Sequence, residues 1–399
     1  MPTTVVLYMA ALLAADDSAS LYDKIFLCKD DLKDEKPVSD RITGEDAVLC
    51  ILPPGEGASH LLARVRGGIS RTPRASVELL RRNGVNSNYR VIKPEGGKVL
   101  AIKTNVTGSR KLIGHKRIRV PNARGRWEWK RVQVYKDRAV PAVYAPWSEA
   151  VSTPEVVQAG FGYTLSTIDA AQDYLDEREI RTLTEKDAPA QDRKRVTELV
   201  PERVNFALLM IEHIDPDWVK DDAYHAYRVD TAKLRRYLDM VLATVGLNRE
   251  ESYDFSVSSA KASGFAQFIP GTYAMIRKEY PDAGFIPGFV EGMRNHRNAV
   301  AAQFCLLDFS LAELKKADPE AFRRLTDGAH EEDLGAWLAA AYNAGAHRAA
   351  PLIRDAPDRW EDPALWKERF KITTTPKYIK EFRAVYRMLF SESAAPILE

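Results

Sequence analysis

From about residue 203 to residue 390 the apolar residues recur three and four positions apart, in VNFALLMIEHI, TAKLRRYLDMVLATVG, NAVAAQFCLLDFSLAELKKA, LGAWLAAAYNAG and KYIKEFRAVYRMLF. That spacing gives each helix one apolar stripe, and the stripes can leave water only by packing on one another. No fixed period recurs, so the pattern predicts a single helical domain and excludes a solenoid.

The preceding sequence has a different rhythm. Between about 45 and 145, AVLCILPPGEG, NYRVIKPEGGKVLAIKTN and KRIRVPNARGRWEWKRVQVYKDRAV read as strands punctuated by Pro, Gly and Asn. Between the two regions LSTIDAAQDYLDE reads as an amphipathic helix, followed by the charged TEKDAPAQDRKRVTELVPER. The expectation is an α+β chain: a smaller β-rich N-terminal domain over 1–150, a charged helical connector over 151–200, and an all-α C-terminal domain over 201–392. With 399 residues, 45% of them hydrophobic, the chain is large enough for both cores.

Charge and cysteine content narrow the chemistry. Lys plus Arg number 58 against 56 Asp plus Glu, a net charge of +2, so the chain as a whole has no electrostatic pull on a polyanion. Three scattered cysteines do not make a zinc site; Cys28 and Cys50 could pair in an oxidising compartment, and Cys305, inside AVAAQFCLL, reads as a core residue. No metal and no cofactor is expected. The apolar stretch within residues 1–20 has the length of a signal-peptide core but no Lys or Arg ahead of it, and it is too short to span a membrane. Basic residues dominate from Gly114 to Val140, where Trp127 and Trp129 alternate with charges. A solvated strand face with both tryptophans in the core is the simpler expectation, a face for nucleic acid or an anionic wall polymer the alternative, and nucleic acid is not the expected partner.

Three features of the helical region carry chemistry. Glu212 ends the long apolar run of VNFALLMIEHIDPDWV, where apolar packing favours the protonated carboxyl. SSAKASGFAQFIPGTY packs small residues ahead of Gln267 and breaks at Pro270, as a tight turn into a short helix presenting an amide does. AAAYNAG ends a helix with Tyr342 and Asn343, and Gly345 suits the stop.

In this order, the glutamate on an apolar helix, the Gly-x-x-Gln-Phe-x-Pro-x-Thr element and Ala-Tyr-Asn-Ala-Gly resemble the lytic transglycosylases of the lysozyme-like superfamily. The resemblance covers about residues 200 to 390. It implies a lysozyme-like domain, Glu212 as the single catalytic acid and base, Ser263 and Gln267 lining a sugar cleft, and Tyr342 and Asn343 close to the glutamate. TTPKYIKEF places Tyr378 where the family's terminal Glu-Thr-x-x-Tyr-Val tyrosine enters the site, with Thr374 in place of the acid and His213 where serine commonly follows the glutamate. The long interval from Glu212 to Gln267 is similar to that of the branch containing membrane-bound lytic transglycosylase B, and suggests an extra helix over the cleft.

The implied reaction is cleavage of the bond between N-acetylmuramic acid and N-acetylglucosamine in peptidoglycan, closing a 1,6-anhydro ring, in the periplasm or cell envelope. Implied partners are glycan strands and, through the N-terminal region, an envelope, secretion or phage-tail assembly. A hydrolytic lysozyme needs a second carboxylate, for which Asp215, Asp217, Asp221 and Asp222 are candidates, though turn roles suit them better. His225 is a further candidate base and Trp218 a candidate sugar platform. A non-catalytic glycan-binding module is the alternative of a different class.

Overall fold

In the computed structural model the chain forms two compact units, Met1–Val151 and Ser152–Glu399. Described are residues 7–8, 20–38, 46–54, 59–65, 69–72, 75–79, 89–93, 97–121, 126–223, 227–254, 256–258, 261–327 and 330–390. The expected apolar leader within 1–20 lies outside them except for Leu7, Tyr8 and Ser20, and so does His225.

The first unit is β-rich. Strands β1 (Leu7–Tyr8), β2 (Ala47–Leu52), β3 (Leu61–Val65), β7 (Lys98–Pro121) and β8 (Trp127–Tyr144) make an antiparallel sheet in the order β1-β3-β2-β7-β8. A separate three-stranded sheet holds β4 (Ile69–Thr72), β5 (Ala75–Leu79) and β6 (Tyr89–Lys93). AVLCIL reads as an unbroken apolar run because β2 is central and buried on both faces. Ala47, Leu49 and Ile51 face a core shared with Ala63, Val65, Val99 and Ile102. From the opposite face, Cys50 forms a disulfide with Cys28 of α1 (Leu21–Asp34). Ser20 and Asp23 close a capping box at the start of α1, and Lys103 donates to the Lys33 carbonyl at its end, 2.6 Å away. Among the described residues Cys28, Cys50 and His60 lie close enough to share a metal, but the two sulfurs are bonded to each other and His60 pairs with Asp31.

One expectation fails here. Trp127 and Trp129 are 62% and 65% exposed, not buried. The β7–β8 hairpin runs past the end of β2, and among the described residues β8 is the one strand paired with its distal half.

The second unit is helical: α2 (Pro154–Asp176), α3 (Val196–Leu199), α4 (Glu202–Ile211), α5 (Thr231–Asn248), α6 (Pro270–Glu279), α7 (Phe289–Arg294), α8 (His296–Ala317), α9 (Pro319–Thr326), α10 (Glu331–Ala344), α11 (Ala346–Asp355), α12 (Pro363–Phe370) and α13 (Thr375–Phe390). Helix α8 runs through the core, buried from Ala299 to Cys305, with Cys305 a free buried thiol. The 151–200 stretch expected as a connector is part of this unit. Helix α2 packs on α5 and α8, and the loop after it is tied to α8: Asp308 accepts from the Leu183 amide at 2.8 Å, and Lys315 donates to the Thr184 carbonyl at 2.7 Å.

Helix α5, expected to lie over the cleft, places its second half in the core. Its 241–248 stretch is buried, and Gly246 meets Gly160 of α2 so closely that a Cβ on either would fall 1.8 to 2.2 Å from a backbone oxygen of the other helix. Among the described residues no helix is long and apolar enough to cross a membrane.

Candidate active site

All residues of α4 from Val204 to Ile211 are buried, and Glu212 caps its C-terminus, its amide still bonded back to the Leu208 carbonyl. The residue as a whole is half-buried. Its carboxyl is nonetheless enclosed enough that desolvation lifts its pKa to about 7, against the opposing pull of a hydrogen bond from Tyr378. A carboxyl held at that pKa can give up a proton and take one back near neutrality.

Helix α13 supplies that bond. Tyr378, 5% exposed, donates its hydroxyl to Oε1 of Glu212, and burial together with the neighbouring carboxyl keeps the phenol protonated. One turn earlier Thr375 donates to Oδ1 of Asn343 at 2.7 Å. Asn343 and Tyr342 occupy the last turn of α10 before Gly345, Asn343 exposed and Tyr342 partly buried. Tyr342 donates to the Ala266 carbonyl, its ring edge-on to Phe268 at 6.1 Å, and burial, then the charge of Glu212, holds its phenol neutral. The structure thus brings Glu212, Tyr342 and Tyr378 together and fixes Asn343 through Thr375.

The 256–269 loop is folded on itself. Ser263 bridges to Val257 and Phe268, its amide bonded to the Phe268 carbonyl at 3.0 Å, and it is buried. Gly264 takes φ +74 with a virtual Cβ 2.3 Å from the Met293 oxygen, so only glycine fits. Gln267 also lies at positive φ, +48, just before α6 instead of on it, and its amide donates to the Gly264 carbonyl at 2.7 Å. A non-glycine residue there is held against a cost of about 1 kcal/mol. The Gln267 side-chain nitrogen and the Ser263 backbone amide thus bond within the loop.

His213, the departure from serine, points away from the accessible side. Its Nε2 donates to the Phe265 carbonyl at 2.8 Å, and its ring stacks on Tyr253 at 3.5 Å, in a column continued by Phe265 and His296. Desolvation lowers its pKa to about 3, so it is a neutral spacer between α4 and the loop. Asp215 and Asp221 accept amides two residues on, Asp217 pairs with Lys377 at 2.7 Å, and Asp222 pairs with Lys233 at 3.2 Å, as turn residues do. Trp218 is 43% exposed and stacked on Tyr237 at 5.2 Å.

The sequence reading missed Glu381. It is fully buried on α13, its two carboxyl oxygens have no hydrogen-bond partner among the described residues, and burial, then Glu212 and Asp215, push its pKa well above the carboxylate range. The signal is visible in KYIKEFRAV, where an acid three residues after Tyr378 interrupts the stripe of Tyr378, Phe382 and Val385.

Comparison with protein-family models, with curated proteins and with solved structures returned no match for this chain.

Proposed function

We propose that the second unit is a lysozyme-like lytic transglycosylase domain that cleaves the β-1,4 bond between N-acetylmuramic acid and N-acetylglucosamine in peptidoglycan, in the periplasm or cell envelope. The observation that carries the reading is the half-buried Glu212, with its carboxyl pKa near 7 and a tyrosine hydroxyl on one oxygen. The Cys28–Cys50 disulfide is consistent with an oxidising compartment.

Protonated Glu212 gives its proton to the glycosidic oxygen as the bond to C1 breaks, and the N-acetylglucosamine side leaves as an alcohol. Glu212, now a carboxylate held by Tyr378, takes the proton from the muramyl C6 hydroxyl as that oxygen bonds to C1. No water is consumed and the carboxyl ends as it began. Asn343, exposed and oriented by Thr375, is the group suited to the sugar acetamide, and Tyr342 holds the adjoining loop in place.

Glu381 does not offer the second carboxylate of a hydrolase: it is buried, and its surroundings favour the neutral acid. Mass spectrometry of soluble products from isolated sacculi tests the proposal. Wild-type protein is expected to release 1,6-anhydro ends, lighter by one water than hydrolytic products, and Glu212→Gln none. Reducing ends would make the protein a lysozyme, and retention on sacculi with no product would make it a binding module.

A further inference from the structure

Strand β7 is paired on both sides only as far as Thr104; from Asn105 to Pro121 its one strand partner among the described residues is β8, the last strand of the sheet. The distal hairpin is thus a two-stranded ribbon. Its register sets Pro121 opposite Trp127, Arg119 opposite Trp129 and Arg117 opposite Arg131 on one face. Ile118 with Lys130 and Lys116 with Val132 lie on the other. All six residues of the first face are exposed, and the Arg119 guanidinium sits 5.9 Å from the Trp129 ring.

A two-stranded ribbon gains little from indoles that stay more than half exposed, so Trp127 and Trp129 are not explained by folding. Their order along the ribbon says what covers them. Counting back from the turn, exposed Arg126 lies nearest the tip on the other face; on this face Trp127 comes first, Trp129 with Arg119 about 7 Å behind, and the Arg117–Arg131 pair about 14 Å behind. A bilayer presents the matching order: an acyl boundary that takes indoles, a headgroup layer about 5 to 8 Å deep holding the phosphates, and an anionic surface field reaching about 10 Å further.

Single-stranded nucleic acid asks for a basic groove that carries the backbone past successive stacking rings; here Trp129 has Arg119 at its level, while Trp127 stands opposite Pro121. The charge is local as well: from 113 to 121 and from 126 to 132 the only acid is Glu128, in a chain whose net charge is +2. Unpaired ribbon edges bar the hairpin from hydrocarbon, so contact stops at the interface.

We propose that the Trp127–Trp129 end of this ribbon seats in the headgroup layer of an anionic phospholipid membrane, with Arg117, Arg119 and Arg131 on lipid phosphates. The inference is independent of the activity of the helical unit.

The 399-residue chain is mixed with vesicles of phosphatidylcholine alone or with about a third phosphatidylglycerol, and co-sedimentation and tryptophan emission are read. Binding is expected on the anionic vesicles, with a blue shift, and is weakened by salt. Arg117→Gln/Arg119→Gln/Arg131→Gln loses about fivefold in affinity per charge removed; Trp127→Ala/Trp129→Ala loses the blue shift and most of the sedimentation. Both variants unfold at the wild-type temperature, since the residues changed are exposed. Equal binding to neutral vesicles, no binding by folded protein, or undiminished binding by both variants overturns the proposal. Binding to single-stranded oligonucleotide with vesicles ignored would assign the ribbon to nucleic acid.

Discussion

The hydroxyl of Tyr378 rests on Oε1 of Glu212 across 166 residues of sequence, joining α13 to the C-terminus of α4. The bond lowers the Glu212 pKa against the desolvation that raises it, so the tyrosine stabilises the carboxylate, the form needed in the second half of the proposed reaction. Tyr378→Phe is expected to move the alkaline limb of the pH–rate profile upward and to slow turnover about tenfold or more, the worth of a hydrogen bond to a charged acceptor. A profile with both limbs unmoved would remove Tyr378 from the machinery.

Glu212→Gln is expected to cost about 10² to 10⁴ in rate and to stabilise the fold at alkaline pH. The folded pKa, about 7, stands above the ordinary 4.5, so the folded state binds the extra proton between these values. The stability this gives is complete below pH 4.5 and lost as pH rises through 7, up to about 3 kcal/mol. Thermal unfolding should show the variant gaining on wild type from pH 5 to pH 8. A constant gap between the two would mean that Glu212 is not desolvated.

How much of this could be read from residues alone differs between the units. The helical stripes, Glu212 at the end of α4, and Tyr342 with Asn343 in the last turn of α10 follow from periodicity and helix-stop chemistry, which are local. The Tyr378–Glu212 bond, the burial of His213 beneath Phe265 and the inward-turned Gln267 depend on partners 52 or more residues away or on positive φ, which a sequence does not display. Trp127 and Trp129 defeated the burial expectation for a related reason: alternation tells which residues share a strand face, not whether anything packs on it.

The α2–α5 crossing predicts a structural cost that sequence spacing hides. Gly160 and Gly246 lie inside helices, each marking a backbone contact, and a Cβ at Gly160 would lie 1.8 Å from the Leu242 oxygen. Gly160→Ala is expected to force the helices apart and destabilise the unit by about 3 kcal/mol or more, although alanine is the better helix former. Denaturant unfolding checks it; a neutral or stabilising change would show that the crossing can relax.

Glu381 gives the converse case, a buried group whose removal should help. Its carboxyl oxygens have no protein partner among the described residues, and its folded pKa stands above the ordinary value, so the stability it allows is present below pH 4.5 and lost as its proton leaves at higher pH. Glu381→Met keeps the length and removes the charge, and replacing an unsatisfied buried polar group by an apolar one of similar shape is neutral or stabilising. The variant is expected to match wild type at pH 4 and to exceed it by about 1 to 3 kcal/mol at pH 8, with the alkaline limb of activity unmoved, since Tyr378 and burial alone set the Glu212 pKa. A loss of stability at pH 8 would mean that Glu381 has a partner that makes its carboxyl worth keeping, and a shifted activity limb would make it part of the site's proton balance.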